Sequence, residues 1–211
     1  MREDVKSFNL SGMGCSGGAI GVDLVRRVLT SGGGGRCGVV VSTEVPSSGW
    51  YWGRERSKLV LNCLFRTGSA AVLMSTSRER RGRYEVVDSV RTGRAWEDRA
   101  YVSALREEDG EGIVGVNLTK DLMQAMIKEI GKGLRLGEGE VEAAMATLHR
   151  FRNQSSSSLW YQLEYLEKKG RVKEGDLVWQ SGMGSGPKCC SVIWRCLDSS
   201  SISSSSSSKG A

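Results

Sequence analysis

NLSGMGCSGGA, residues 9–19, contains a glycine pattern that fits more than one kind of site. From Gly12 to Gly17 it matches G-x-G-x-x-G, a turn in which glycines let the backbone approach the pyrophosphate of a dinucleotide. The same stretch puts Cys15 where a helix begins, and unpaired backbone N–H groups there stabilise a thiolate nucleophile. Free cysteines are also often small, buried packing residues. Spacing alone leaves three interpretations of this stretch open: a dinucleotide-binding turn, a nucleophile at Cys15, and a packing role for Cys15.

The flanking residues predict an α/β unit with a parallel sheet. Residues 5–10 alternate like a short strand, and apolar side chains recur at helical spacing over residues 15–29. Residues 37–43, CGVVVST, are typical of a strand that is buried on both faces. The order strand, helix, strand is that of a parallel α/β unit. Glu44 closes the second strand, where a ribose-binding carboxylate would lie if the glycine pattern bound a dinucleotide.

Further helices and strands are predicted along the rest of the chain. Strands are expected at 70–75, 84–90, 177–180 and 191–194, helices at 121–132, 138–148 and 155–169, an extended piece at 148–151, and a solvated basic turn at 78–83. The serine cluster at the start of the helix at 155–169 is of the type that caps helices. Residues 199–208 are nearly all serine, cannot bury a core, and are predicted to be disordered.

The composition is that of a globular protein in a reducing compartment. The chain has 211 residues, enough for one large or two small domains, and six cysteines without zinc-ligand spacing. Its formal charge of +6 favours anionic partners, although an excess of this size also serves solubility. The first ten residues include acidic side chains and no apolar block, so we expect no signal peptide. No run is long and apolar enough to predict a membrane-spanning helix.

Longer runs resemble the plant 3-ketoacyl-CoA synthases, the condensing enzymes of very-long-chain fatty acid elongation. The resemblance extends over most of the chain between Val5 and Cys196. It is carried by NLSGMGCSGGAIGVDLVRRVL, VVVSTE, SGWYWGRERSKLVLNCLFRTGSAAVLMS, VRTG, EEDGEGIVGVNLTKDLM, TLHRFRNQSSSSLWYQLEYLEKKGRVKEGDLVWQ and GSGPKCCSVIWRC. Runs of this length are specific, and they favour the nucleophile over the dinucleotide-binding turn.

The resemblance implies a thiolase-like α/β fold, a layered αβαβα arrangement of two related halves with the active site between them. We expect residues 1–123 to form part of the N-terminal half, residues 124–198 part of the C-terminal half, and residues 199–211 a disordered tail. Members of the family also have membrane anchors and further strands before this region, so the fold is expected to be incomplete.

The resemblance also implies the site residues. Cys15 matches the family's nucleophile, and Asn153 matches an asparagine whose amide donates a hydrogen bond to the malonyl carbonyl. Gly184, Ser185 and Gly186 match a glycine loop that lines the active site. His149, the only histidine of the chain, matches a histidine near the site, while the segment with the principal catalytic histidine is absent between Met123 and Ile127.

Arg152 stands where the family usually has glycine, and Pro187 stands where it usually has an aromatic residue. Both substitutions lie beside expected site residues.

The implied activity is condensation of a long-chain acyl-CoA with malonyl-CoA through an acyl-cysteine, with release of CO2 and CoA. No metal and no cofactor is expected. The implied partners are a second synthase chain in a homodimer or heterodimer and other elongase components, with no nucleic acid. The family implies the cytosolic face of the endoplasmic reticulum membrane, and this sequence without an anchor implies a cytosolic or peripheral protein. The alternative is a catalytically impaired fragment, or a non-enzymatic partner of full-length homologues.

Overall fold

The computed structural model describes residues 3–33, 35–77, 79, 82–118 and 138–198. The predicted helix at 121–132, part of the basic turn at 78–83 and the serine-rich stretch at 199–208 lie outside the described residues.

Amphipathic segments form the helices of the described chain. These are α1 (Gly17–Thr30), α2 (Arg56–Leu64), α3 (Asp98–Tyr101), α4 (Glu138–Phe151) and α5 (Ser158–Lys168), with short 3-10 helices at Gly14–Ser16, Pro46–Gly49 and Ser155–Ser157. The extended piece predicted at 148–151 is wrong, because α4 continues through it. The helix ends at Arg152, whose φ of +65° is left-handed and cannot continue a right-handed helix.

The described strands form three antiparallel sheets. Strand β1 (Cys37–Glu44) pairs with β2 (Gly68–Ser75), and β4 (Ala104–Glu108) pairs with β5 (Val114–Leu118). The third sheet has the order β3–β7–β6, built from β3 (Tyr84–Gly93), β6 (Leu177–Gly184) and β7 (Lys188–Cys196). Strands β6 and β7 are the two expected around a glycine loop, and each is longer than its apolar run.

The prediction of a parallel sheet around the glycine pattern is wrong. Residues 5–10 form no strand, and the side chains of Val5 and Phe8 are 53% and 56% exposed. Strand β1 pairs antiparallel with β2 instead. An alternating pattern identifies a segment that can be extended, but the neighbour that supplies its hydrogen bonds is set by the rest of the fold.

The prediction that β1 is buried on both faces is also wrong. Val40 and Ser42 are buried, whereas Val39 and Val41 are 56% and 67% exposed. Helix α1 covers only one face: a β-carbon added at Gly21 would lie 2.8 Å from Cγ1 of Val40. Strand β2 alternates in the same way, so this two-stranded sheet has one covered face and one open face.

One hydrophobic core joins segments from the two ends of the described chain. Its buried members are Ala19, Ile20, Val22, Val40, Leu159, Val172, Val178, Cys190, Val192, Trp194 and Cys196. The members between 19 and 22 belong to α1, and those from 178 onward belong to β6 and β7. Burial of this shared apolar surface fixes the start of α1 against the sheet that carries the glycine loop.

A buried carboxylate ties α1 to β3. Asp23 accepts hydrogen bonds from Ser89 Oγ at 2.6 Å and Arg27 Nε at 3.1 Å, and its other oxygen lies 2.6 Å from Arg91 Nη2. Burial alone would raise the pKa of this carboxyl. The hydrogen bonds from Ser89 and Arg27, with the charge of Arg91 added, outweigh burial and hold the pKa of Asp23 below its ordinary value.

Candidate active site

Cys15 lies in the middle of a tight elbow that leads into α1. The 3-10 helix Gly14–Ser16 runs directly into Gly17 at the start of α1. Gly12 and Gly14 have φ values of +70° and +55°, which glycine adopts at little cost. The buried Ser16 donates a hydrogen bond from Oγ to the carbonyl oxygen of Met13 at 2.6 Å and closes the turn.

The end of β6 packs against the backbone of this elbow. A β-carbon at Gly14 would lie 2.7 Å from the backbone nitrogen of Ser185, and one at Gly182 would lie 3.1 Å from the carbonyl oxygen of Cys15. A β-carbon at Gly184 would overlap the carbonyl oxygen of Met13. Gly184 and Ser185 of the predicted loop therefore contact the segment that carries Cys15, and Gly182 packs tightly against the same segment.

A lysine after the loop holds the two segments together at the surface. Lys188 Nζ donates to the carbonyl oxygen of Ser185 at 2.6 Å and to that of Gly12 at 3.2 Å. Gly186, with a φ of +67°, makes the left-handed turn between β6 and β7. Pro187 lies in the same turn, and its carbonyl oxygen accepts from the backbone N–H of Arg94 at 2.8 Å.

The serine run before α5 packs on the other side of the elbow. Ser155 Oγ donates a hydrogen bond to Cys15 Sγ at 3.3 Å. Gly18 permits this approach, because a β-carbon there would overlap the carbonyl oxygen of Ser156. The structure thus brings together residues that are 140 positions apart in the chain.

The other serines of this run anchor it to the sheet. Ser156 donates from its backbone N–H at 3.2 Å and from its hydroxyl to the carboxylate of Glu44. Ser157 Oγ lies 3.1 Å from Ser42 Oγ and 3.4 Å from the carbonyl oxygen of Gly68. The prediction that the serines cap the following helix is wrong for Ser157, which makes no side-chain cap because its hydroxyl faces β1 and β2.

Asn153 is held on its backbone and on its side-chain oxygen. Its N–H donates to the carbonyl oxygen of Leu64 at 2.9 Å, and its own carbonyl accepts from the N–H of Arg66 at 2.9 Å. Its Oδ1 accepts from the backbone N–H of Ser155 at 2.7 Å. These bonds fix the amide plane and leave Nδ2 without a hydrogen bond among the described residues. A free amide donor therefore lies two residues from the serine that contacts the Cys15 sulfur.

The electrostatic setting of Cys15 differs from the sequence-based expectation. A thiol at a helix N-terminus was expected to be stabilised as thiolate, but the pKa of Cys15 is raised. Burial is the main cause, since removing water penalises the charged form, and the carboxylate of Glu44 raises the pKa further. The hydrogen bonds from Ser155 and from the Cys15 backbone N–H act in the opposite direction.

His149 lies apart from these contacts. It is exposed in the last turn of α4, and no hydrogen bond or ion pair joins it to Cys15 or Asn153 in the part of the chain that the structure describes. Arg152 adopts a left-handed conformation that favours glycine, the residue expected at this position from the resemblance. The described residues hold no group of three or more His, Cys, Asp or Glu side chains able to bind a metal ion.

A family model described as "FAE1/Type III polyketide synthase-like protein" matches residues 1–137. The chain belongs to this family. A second model, "3-oxoacyl-(acyl-carrier-protein (ACP)) synthase III C terminal", matches residues 114–196 of the FAE1/type III polyketide synthase-like chain. Together the two models cover residues 1–196.

The predicted resemblance to plant 3-ketoacyl-CoA synthases is confirmed. The family member described here is 39% identical to 3-ketoacyl-CoA synthase 6 of Arabidopsis thaliana over 93% of this chain and 52% of the relative. The chain spans about half the length of the curated relatives it matches. The alignment is 259 residues long, more than the 211 of this chain, so it contains positions of the relative that have no counterpart here. The absence of the histidine segment between Met123 and Ile127 stays a prediction.

The predicted thiolase-like fold is confirmed by solved structures. The C-terminal type III polyketide synthase domain of Steely1 from Dictyostelium superposes with a TM-score of 0.75 at 15% identity, covering 93% of this chain and 64% of that one. The 3-oxoacyl-(acyl-carrier-protein) synthase III of Aquifex aeolicus gives a TM-score of 0.64 at 20% identity, covering 92% and 68%. The division at residue 123 stays a prediction.

The dinucleotide interpretation of the glycine pattern does not fit this family member. That turn requires a strand before it in a parallel sheet, and residues 5–10 form none. Glu44, the expected ribose ligand, accepts both hydrogen bonds of Ser156 instead. The described helices include none that is long and apolar enough to cross a membrane.

Sequence reasoning missed three residues that shape the site. Gly182 could have been found, because it alternates with Gly184 along one strand and a period of two puts both on one face. Ser155 stands among four consecutive serines and has no distinguishing signal. Glu44 was considered only as a ribose ligand, and its contact with the serine run depends on the tertiary fold.

Proposed function

We propose that this chain is a condensing acyltransferase that takes a long-chain acyl group from CoA onto Cys15 and extends it with malonyl-CoA, as a very-long-chain 3-ketoacyl-CoA synthase would. The observation that carries the proposal is the position of Cys15. Its sulfur lies at an elbow before α1, 3.3 Å from the Ser155 hydroxyl, and the backbone of Gly184 packs against Met13 and Ser16 of the same elbow. The similarity to 3-ketoacyl-CoA synthases favours an enzyme over a non-enzymatic partner.

In the first half-reaction the thiolate of Cys15 attacks the carbonyl carbon of the acyl-CoA thioester. The new bond joins Sγ to the acyl carbon, the bond from that carbon to the CoA sulfur breaks, and CoA leaves as a thiolate that takes up a proton. A negative charge develops on the carbonyl oxygen, and the backbone N–H of Cys15 at the start of the helix is a donor suited to it. This step needs the nucleophile and the oxyanion donor, both of which the elbow supplies.

In the second half-reaction malonyl-CoA loses its carboxylate as CO2. The electron pair of the broken C–C bond forms an enolate, whose carbon attacks the acyl group on Cys15 and expels the thiolate. The product is a 3-ketoacyl-CoA longer by two carbons. Asn153 is proposed to donate from Nδ2 to the thioester oxygen of malonyl-CoA, where the enolate charge develops. Gly184, Ser185 and Gly186 are proposed to line the acyl chain where it enters.

The second half-reaction is expected to be the slower one. The chain has a single histidine, His149, and this side chain is exposed on α4. Loss of a positioned acid or base typically lowers a rate by about 10²–10⁴-fold. We therefore propose that acyl transfer to Cys15 is faster than condensation. In the alternative outcome, the chain takes up the acyl group and does not condense it with malonyl-CoA. We assign His149 at most a weak catalytic role.

The partners and location follow from the same proposal. Both substrates are CoA thioesters, no metal or organic cofactor is required, and no nucleic-acid partner is proposed. A homodimer or a heterodimer with a longer synthase, association with other elongase components, and attachment at the cytosolic face of the endoplasmic reticulum are proposed from the resemblance.

The proposal is tested by intact mass spectrometry of the purified chain after incubation with a saturated long-chain acyl-CoA. The expected result is an increment equal to the acyl group on the native protein and none on Cys15→Ser. Adding malonyl-CoA should then remove the increment slowly and release a 3-ketoacyl-CoA. A folded native protein that never gains the acyl mass would overturn the proposal.

A gain of mass that malonyl-CoA leaves unchanged would reduce the proposal to the first half-reaction. An Asn153→Ala variant separates the two steps. It should lose more of the condensation than of the acyl transfer, because Nδ2 is proposed to serve only the enolate, whereas Oδ1 holds Ser155 beside Cys15 in both steps.

A further inference from the structure

The sulfur of Cys15 has a single side-chain hydrogen-bond donor among the described residues. Ser155 Oγ donates to it at 3.3 Å, although the two residues lie 140 positions apart. Glu44 carries the charge that acts on this thiol, and its carboxylate disfavours the thiolate form of Cys15. Lys188, the cation at the elbow, gives its Nζ to the carbonyl oxygens of Gly12 and Ser185. The elbow thus has no side-chain cation paired with the sulfur within the described contacts.

Ser155 is held in a conformation that serine rarely adopts. Its φ is +53°, in the left-handed region that favours glycine. The Oδ1 of Asn153 binds the Ser155 backbone N–H at 2.7 Å, and the next residue, Ser156, is bonded to Glu44. Strained backbone of this kind persists where surrounding contacts over-determine it, and it concentrates at functional sites. Here the strained residue carries the hydroxyl that reaches the sulfur.

We propose that Ser155 is a thiolate-stabilising residue, whose hydroxyl makes the half-buried Cys15 reactive, and that Asn153 positions Ser155. A hydrogen bond to an ionised acceptor is stronger than one to the neutral form, so the Ser155 hydroxyl favours the thiolate over the thiol. The hydroxyl thereby offsets part of the effect of burial and of Glu44. The same bond stabilises the sulfur when it leaves during condensation, and this last consequence rests on the proposed function.

A serine outside the site offers a matched control. Ser48 lies in the 3-10 helix Pro46–Gly49, and its Oγ donates to the carbonyl oxygen of Val45 at 3.3 Å. Ser155→Gly removes the hydroxyl and suits a φ of +53°, so it keeps the backbone path. Ser155→Ala removes the hydroxyl and keeps the strain. Comparison of the two separates the hydroxyl from the backbone.

The test is the pH dependence of alkylation of the full chain by iodoacetamide, with Cys15 followed by peptide mass mapping and the exposed Cys63 as reference in the same sample. No acyl-CoA is present, so the result does not depend on the proposed function. We expect the midpoint for Cys15 to rise by about one pH unit in Ser155→Gly and Ser155→Ala, a tenfold loss of thiolate below the midpoint. Ser48→Ala should leave the Cys15 profile unchanged, and Cys63 should keep its native profile in all variants.

A native midpoint in Ser155→Gly would overturn the proposal, because the hydroxyl would then contribute nothing. A rise in Ser155→Ala alone would also overturn it, since the effect would come from the backbone. If both variants shift the midpoint while the native chain takes no acyl group from acyl-CoA, Ser155 keeps its assigned role and the proposed function fails.

Discussion

Gly184 packs against Met13 so closely that a β-carbon at position 184 would overlap the Met13 carbonyl oxygen. The same β-carbon would lie 2.8 Å from Oγ of the buried Ser16. A strand near the C-terminal end of the described chain therefore fixes the backbone of the turn that carries Cys15. The turn that holds Cys15 therefore keeps its conformation only while position 184 carries no side chain.

Gly184→Ala is expected to destabilise the protein by about 1–3 kcal/mol, the usual cost of forcing extra atoms into a packed site. Chemical denaturation measures the loss, and the rate of Cys15 alkylation should change with it because the elbow must move. Gly110→Ala is the control, since a β-carbon at Gly110 would meet nothing within 4 Å. Equal stability of the two variants would show that the contact with Met13 tolerates a methyl group.

Arg152→Gly is expected to stabilise the protein by about 1 kcal/mol. The φ of Arg152 is +65°, and the left-handed conformation costs a residue with a β-carbon roughly 1–2 kcal/mol, part of which the greater unfolded-state entropy of glycine offsets. The free energy of unfolding measures the gain. Arg152→Ala keeps the β-carbon and should show no gain, so an equal gain in both variants would assign the effect to the arginine side chain.

Glu44→Gln is expected to lower the pKa of Cys15. The carboxylate raises the pKa of the thiol because two negative charges disfavour each other, and glutamine keeps the acceptor for Ser156 without the charge. The thiolate fraction at neutral pH should rise, and with it the alkylation rate of Cys15. Glu85→Gln, which removes a carboxylate paired with Arg195, should leave that rate unchanged. A slower alkylation of Cys15 in Glu44→Gln would mean that the hydrogen bonds from Ser156 to the Glu44 carboxylate position the sulfur.

The stabilising contribution of Asp23 is expected to be lost in acid. Its pKa is depressed in the folded state, so its contribution is complete above the ordinary value near ~3.9 and is lost as the pH falls through the folded pKa. Asp23→Asn should lose about 2 kcal/mol at pH 7, the scale of hydrogen bonds to a charged group, and should show a shallower loss of stability below about pH 4. The free energy of unfolding, measured at several pH values from about pH 2 to about pH 7, tests both expectations.

The exposed pair between Arg26 and Asp88 supplies the control for Asp23. The Asp88 carboxylate lies 3.6 Å from Arg26, and its side chain is 60% exposed. Asp88→Asn should cost less than about 1 kcal/mol, as exposed ion pairs usually do. If Asp23→Asn kept the native acid slope, the depressed pKa of Asp23 would not contribute to stability.

Periodicity predicted α1, α4, α5 and several strands, whereas α2 and α3 were not predicted. Ile20 on α1 and Leu159 on α5 belong to apolar stripes at helical spacing, and both stripes face the core. The apolar runs of β3, β6 and β7 were found for a similar reason. The elbow at Cys15 was predictable because glycines before a helix allow the left-handed turns seen at Gly12 and Gly14.

Pairing and burial were not predictable from the same patterns. The apolar run of β1 fits a strand buried on both faces, yet Val41 is 67% exposed because α1 covers only the other face. Which strand lies beside β1 depends on contacts between distant segments, and a single strand's pattern does not contain them. The missing strand at 5–10 shows the same limit.

The direction of the pKa shift of Cys15 could not be predicted from the sequence for a related reason. The position of Cys15 before a helix predicts a stabilised thiolate, but burial acts on the thiol more strongly. Burial is a property of the whole tertiary arrangement. Glu44 reaches the serine run across 112 positions, and Ser155 is one of four identical neighbours. Spacing carries no sign of either contact.

The packing of the elbow on β6 and on the serine run has a consequence for biosynthesis. The ribosome adds Cys15 long before the residues that contact it, since 140 residues separate Cys15 from Ser155. At about 5–20 residues per second, a ribosome needs roughly 7–30 s to add them. Over that interval the nascent chain carries Cys15 as an ordinary thiol, open to oxidants and to metals. Cys15 gains the contacts described above only after Ser155 and then the hairpin of β6 and β7 have been made.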